Sequence, residues 1–154
     1  MKILIDADGC PVVRLTISIA KEYGIQAVIF CDTSHEFHED GVKTVTVDKG
    51  ADSADFKIVN CMDAGDLVVT QDYGLAAMVL SKNGIALTQN GLEITSANID
   101  SLLASRYAAK KARMSKKHLK GPPQRTAEQD TAFERALRRI LSAFRALYSF
   151  DSRP

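Results

Sequence analysis

A chain of 154 residues that is 45% hydrophobic has the size of one ordinary domain and enough apolar material for a core without disulfides or a structural metal. No apolar run approaches the roughly 20 residues that cross a bilayer, and three widely spaced cysteines, Cys10, Cys31 and Cys61, argue against both a disulfide framework and a zinc site. The net charge of +1 hides a segregation: residues 1–100 carry 7 Lys/Arg against 15 Asp/Glu, and residues 101–154 carry 13 against 4.

The first residues meet a carboxylate, Asp6, after only three apolar positions, so a signal peptide is not expected and the cytoplasm is the expected compartment. Lys2 to Asp6 reads as a short buried parallel strand opening onto the turn Asp8-Gly9-Cys10-Pro11. From Pro11 to about Tyr23 apolar residues recur at helical spacing, with Pro in the tolerated first turn and Gly24 as a stop signal. Gln26 to Cys31 and Val42 to Val47 are β-branched runs, expected as strands two and three. Ser53 to Met62 follows as a helix capped by Asp52 or Ser53, presenting Phe56, Ile58, Val59 and Met62 inward. Asp66 to Thr70 is a strand, Tyr73 to Lys82 a helix and Ile85 to Thr88 a strand. Strands alternating with helices predict a mostly parallel sheet covered by helices on both faces.

After Thr95 the pattern turns to helix and charge. A helix is expected from about Ala97 into the lysine-rich stretch, and Gly121-Pro122-Pro123 breaks it. Thr126 and Gln129 have capping-box spacing, so a last helix is predicted from residue 126 to 148. Its apolar positions Phe133, Leu137, Ile140, Leu141, Phe144, Leu147 and Tyr148 form one stripe, which must be covered by the body or by a second subunit in a homodimer. The reading is one α/β domain over residues 1–150, with the basic segment 106–125 and the helix 126–148 as its C-terminal extension.

Carboxylates mark the chemistry. Asp6 and Asp8 stand at the end of the first strand and Asp72 at the end of a later one, where open α/β sheets place their ligand sites. Asp52 and Asp55 start a helix that returns the chain to the same edge. Converging carboxylates repel one another unless a cation neutralises them, and hard oxygen donors of this kind select Mg²⁺ or Mn²⁺. The metal-ligand set is therefore Asp6, Asp8, Asp52, Asp55 and Asp72. The competing reading makes them helix caps: Asp6 or Asp8 for the first helix, Asp52 for the second and Asp72 for the third.

Three stretches carry a resemblance. Ile5-Asp6-Ala7-Asp8-Gly9-Cys10-Pro11-Val12, Val47-Asp48-Lys49-Gly50-Ala51-Asp52-Ser53-Ala54-Asp55 and Gly65-Asp66-Leu67-Val68-Val69-Thr70-Gln71-Asp72-Tyr73-Gly74-Leu75-Ala76 closely resemble the YaiI/YqxD family of bacterial proteins, over about residues 2 to 148. That family is grouped with the PIN-like domains, metal-dependent ribonucleases of three-layer α/β/α build. The resemblance implies a catalytic set of Asp6, Asp55 and Asp72, with Thr70 belonging to the Thr-x-Asp motif. Where PIN nucleases place a further acid downstream, Thr88-Gln89-Asn90 offers only amides, and Asp8 or Asp52 is the substitute.

The run Arg106, Lys110, Lys111, Arg113, Lys116, Lys117, His118, Lys120, Arg125 contains no acid and has the electrostatic footprint of nucleic-acid binding, RNA being the expected partner. The alternative is a solvated segment. His35-Glu36-Phe37-His38 lacks the H-E-x-x-H spacing, so no zinc role is expected for it. Two other functions compete. Asp6-Ala7-Asp8-Gly9 also resembles the opening motif of haloacid-dehalogenase-type phosphatases, with Gly65-Asp66 as their late acidic motif, although Cys10 stands where those enzymes place Thr or Ser. A non-catalytic RNA-binding protein that keeps the shell is the other.

Overall fold

A computed structural model describes residues 1–50, 53–115 and 123–151, without the side chains of the last two. The elements run β1 (Ile3–Asp6), α1 (Val13–Glu22), β2 (Ala27–Asp32), β3 (Lys43–Val47), α2 (Ser53–Cys61), β4 (Leu67–Val69), α3 (Tyr73–Ser81), β5 (Ile85–Leu87), β6 (Glu93–Ile94), α4 (Ile99–Ser115) and α5 (Ala127–Asp151). The six strands form one sheet in the order β3-β2-β1-β4-β5-β6. All pairings are parallel except β5 with β6. The chain winds outward from β1 to β3 and then returns to lay β4 against the other side of β1. That reversal leaves a crevice at the carboxyl ends of β1 and β4.

Strand alternation builds two cores. Ile3, Ile5, Ile29, Leu67, Val69 and Leu87 face one side, where α1 and α5 cover them. Leu4, Val28, Phe30, Val68 and Ala86 face the other, under Ile58 of α2, Leu75, Ala76 and Val79 of α3, and half-buried Ile99 and Leu102 of α4. The result is the three-layer α/β/α build with a mostly parallel sheet expected for a PIN-like domain. No helix among the described residues is long and apolar enough to cross a membrane.

The capping box forms as its spacing predicts: Gln129 Oε1 accepts from Thr126 N at 3.0 Å, and Thr126 Oγ1 accepts from Gln129 N at 3.4 Å. The apolar stripe of α5 docks on the body, not on a second subunit, from Phe133 to Leu141. Arg138 clamps it there, giving Glu22 of α1 two bonds at 2.7 and 3.2 Å. Beyond that point the body ends and Leu147 and Tyr148 are exposed.

Other expectations fail locally. Phe56, expected inward, is 58% exposed, because α2 turns only its Ile58 edge fully into the core. The two residues of β6 are too few to show a period. They pair because a turn at Thr88–Leu92 folds them back, with Thr88 Oγ1 accepting from Leu92 N at 3.1 Å. Gly91 makes that turn at φ 83, and a Cβ there would meet the Ala132 carbonyl oxygen at 2.5 Å, so only glycine lets the hairpin pass α5.

Candidate functional site at the carboxyl edge of the sheet

Register fixes the centre of the site. Ile5 of β1 pairs with Val69 of β4, so the next residues, Asp6 and Thr70, stand side by side across the crevice. The Thr70 hydroxyl donates to Asp6 Oδ2 at 2.7 Å and accepts from Asp72 N at 3.0 Å. Thr70 is 2% exposed, so this bridge is shielded and ties the two carboxylate-bearing strand ends together. Burial pushes the Asp6 carboxyl above its ordinary range; the Thr70 bond opposes that, and the charges of Asp8 and Asp72 add to it.

Asp72 caps α3, as the competing reading of this residue expected. Its Oδ1 accepts from Gly74 N at 2.7 Å and Leu75 N at 3.3 Å at the start of α3, and lies 3.4 Å from Arg106 Nη1 of α4. None of these contacts uses Oδ2. Gly74 makes room, since a Cβ there would sit 3.1 Å from Oδ1. Asp6 and Asp8, by contrast, do not cap α1: its first turn follows Val12, with no side-chain cap bond.

Asp8 turns toward the end of β2. Its carboxylate accepts from Asp32 N at 3.0 and 3.3 Å, and His35 Nδ1 lies 3.1 Å from Asp8 Oδ1 and 3.2 Å from Asp32 Oδ1. Ser34 donates its backbone N–H and its hydroxyl to Asp32, and these bonds, with His35, hold the Asp32 carboxyl below its usual range. Asp8, Asp32 and His35 therefore form a second acidic group beside the first. Sequence reasoning missed Asp32 and His35. Asp32 is one residue past the predicted strand and obeys the same strand-end rule that singled out Asp6.

Asp55 is half-buried in the first turn of α2, which begins at the carboxyl edge because it follows the parallel strand β3. Asp52, the other residue assigned to that turn, lies outside the described residues, as do Lys116, Lys117 and Lys120 of the basic run. Of that run, Arg106, Lys110, Lys111 and Arg113 are exposed on α4. Ile99 and Leu102 pack on the body, and Arg106, Lys110 and Arg113 continue the same helical face beyond it, lining an open groove of about 600 Å³ with Met114. Arg125 is different, spending its guanidinium on Asp130 (2.7 Å), Asn90 Oδ1 (2.8 Å) and Gln89 O (2.7 Å) to pin the start of α5 to the β5–β6 loop.

Among the described residues, the one group of three or more donors lying within 4.8 Å of one another is Asp8, Asp32 and His35; it contains neither Asp6 nor Asp72, whose carboxylates are hard oxygen donors of the kind that suits Mg²⁺ or Mn²⁺. Besides the crowded Asp6, the buried Gln89 Oε1 has no hydrogen-bond partner among the described residues, close to the strand end where Leu87 O accepts from Thr70 N at 3.0 Å. Cys10 is a packing residue, since burial raises its thiol above the ordinary range and keeps it protonated. The phosphatase reading loses its late acidic motif. Asp66 lies at the amino edge of β4, the opposite end of the sheet from Asp6, and accepts from Lys2 N at 2.8 Å, Lys2 Nζ at 2.6 Å and Asp63 N at 2.8 Å. Burial disfavours its ionisation, and these bonds outweigh it, so the carboxyl stays below its ordinary range.

A stability consequence follows for Asp6. A carboxyl raised in the folded state adds stability that is whole below the unfolded value of about 3.9 and lost as pH rises through the folded value. Asp6→Asn, which keeps an acceptor for Thr70, should therefore raise the melting temperature of the metal-free protein at about pH 7 and lose that advantage near pH 4. Thermal scans at the two pH values decide it; a variant less stable than the parent at both would contradict the assignment.

The family model described as "Uncharacterized BCR, YaiI/YqxD family" matches residues 4–143. UPF0178 proteins are similar to the chain throughout. That of Exiguobacterium sibiricum is 48% identical over 142 residues, covering 92% of this chain and 97% of the relative. That of Clostridium acetobutylicum is 46% identical over 143 residues, covering 92% and 97%. A crystal structure of a variant of Rae1 (YacP) from Bacillus subtilis is 13% identical and covers 94% of this chain and 99% of that one, with a TM-score of 0.45.

Proposed function

We propose that this chain, which belongs to the YaiI/YqxD family, is a metal-dependent phosphodiesterase acting on nucleic acid, with single-stranded RNA as its expected substrate. The observation that carries the reading is Asp6: a desolvated carboxylate at the β1–β4 crevice, locked by Thr70 and crowded by the charges of Asp8 and Asp72. Asp6 and Asp72 would hold Mg²⁺ or Mn²⁺, with Asp8 and Asp55 completing the set. Bound there, the cation would activate a water and neutralise the phosphate and the leaving oxygen. Thr70 holds the Asp6 carboxylate in one orientation, and Asp72 is oriented by the start of α3.

Attraction of a polyanion falls to α4. An acidic body repels nucleic acid, whereas Arg106, Lys110 and Arg113 line the groove that leads away from Asp72. Phosphate contacts of this kind position a strand without reading its sequence. If about four to six cations of the basic segment engage phosphates, log affinity for single-stranded RNA falls with log salt at a slope of roughly −3 to −4. Replacing Lys110, Lys111, Lys116 and Lys117 by Ala flattens that slope and leaves Mn²⁺ affinity unchanged. A filter-binding salt series in which this variant keeps the parent slope would remove the role.

Activity is tested on end-labelled single-stranded RNA and DNA with Mn²⁺ or EDTA. The reading expects RNA cleavage that needs the metal and is lost in Asp6→Asn. Failure of the wild-type protein to cut either polymer with Mn²⁺ would leave a binding protein, not an enzyme.

A further inference from the structure

Arg106 stands out among the cations of α4. Its Nη1 lies 3.4 Å from Asp72 Oδ1, and its guanidinium carbon lies 5.9 Å from the centroid of the Tyr73 ring. Its side chain is 52% exposed, so the guanidinium is held by one carboxylate and one ring face and is free to turn toward solvent. Tyr73 is half-buried and opens α3, so the ring is a fixed platform while the cation above it can move. Lys110 and Arg113 continue the face outward from this point. The pairing is local to the site: Asp72 is the carboxylate joined through its backbone N–H to Thr70, and through Thr70 to Asp6.

Two positive groups cannot both keep one exposed carboxylate at full strength. A divalent cation accepted by Asp6 and Asp72 repels a guanidinium 3.4 Å from Asp72 Oδ1. Displaced in this way, the guanidinium would turn on Tyr73 to face an anion held at the site. A planar guanidinium suits a phosphodiester, which it grips through two parallel N–H···O bonds. We propose that Arg106 is a positioning residue that alternates between two partners, holding Asp72 while the site awaits its cation and holding the substrate phosphate once the cation is bound. This deepens the phosphodiesterase reading and rests on it.

Because Arg106 competes with the cation for Asp72 but itself contacts the phosphate, the proposal fixes opposite signs for the effect of its removal on the two affinities. Calorimetric titration of the full chain with MnCl₂ should give an affinity about two- to fivefold tighter for Arg106→Ala than for wild type, the worth of an exposed ion pair. Fluorescence anisotropy of a short oligouridylate, with Ca²⁺ in place of Mn²⁺ to suppress cleavage, should show binding weakened by about tenfold in the same variant. Arg106→Lys should keep the weaker Mn²⁺ affinity of the parent but recover only part of the RNA affinity, because an ammonium lacks the two-pronged grip. A residue with only a structural role would not move the two affinities in opposite directions. If Asp72→Asn weakens Mn²⁺ binding while Arg106→Ala leaves it unchanged, the alternation is overturned and the metal reading stands. Tighter Mn²⁺ with unchanged RNA affinity also overturns it. No Mn²⁺ binding by wild type would overturn both.

Discussion

Ending the chain at residue 121 is expected to give a protein with no cooperative thermal transition, prone to aggregate through exposed apolar surface. The truncation removes Phe133, Leu137 and Leu141, each fully buried, and Ile140, which is 7% exposed. Burying a side chain of this size is worth about 1.5–3 kcal/mol, so the four together contribute roughly 6–12 kcal/mol before entropy is counted. A domain of this size is stable by only about 5–15 kcal/mol in total. The loss also uncovers Val13, Ile17 and Ala20 of α1 and the Ile3, Ile5 and Leu67 face of the sheet, an apolar patch of the sort that drives association. Differential scanning calorimetry with size-exclusion chromatography tests this. A truncated protein that is monomeric and as heat-stable as the parent would show α5 to be dispensable. Leu137→Ala is the graded version, expected to cost about 2–5 kcal/mol.

The legible parts of the chain are those where a local signal and the tertiary structure agree. β1 is a run of three core residues closed by Asp6, and the strand-end rule was enough to mark the crevice. The capping box at Thr126 and Gln129 and the stripe from Phe133 to Leu141 needed only spacing, because α5 buries that face on the body. What lay hidden depends on which elements become neighbours. Phe56 has helical spacing with Val59, and Ile58 with Met62, yet α2 meets the sheet along the Ile58 edge alone, a narrower face than its apolar content suggests. Asp66 matches a late acidic motif in sequence, and only the parallel register with β1 reveals that it faces Lys2 at the far end of the sheet. His35 sits in a loop without a motif and meets Asp8 only because β2 lies beside β1. Of the two readings of Asp72, the structure bears out the cap, through Oδ1, and the capping bonds leave Oδ2 out.

The larger expected effect is chemical. Asp72→Asn should abolish measurable Mn²⁺ binding and lower any RNA cleavage by at least about a hundredfold, the scale lost when a preorganised charge that stabilises a transition state is removed. The substitution is clean, because Asn caps a helix about as well as Asp and can still accept from Gly74 N and Leu75 N. Asp6→Asn should match it in both readouts while keeping an acceptor for the Thr70 hydroxyl. The Asp66→Asn variant serves as the contrast. It should lose stability by about 1–3 kcal/mol through the broken Lys2 bonds and leave Mn²⁺ affinity intact, since it lies at the other edge of the sheet.

The most direct test of a metal site at the β1–β4 crevice is calorimetric titration of Mn²⁺ into the wild-type chain and into Asp72→Asn, with folding of each confirmed by circular dichroism. Saturable binding by wild type and none by the variant is the result this account predicts. Equal binding by both, or binding by neither, would contradict it.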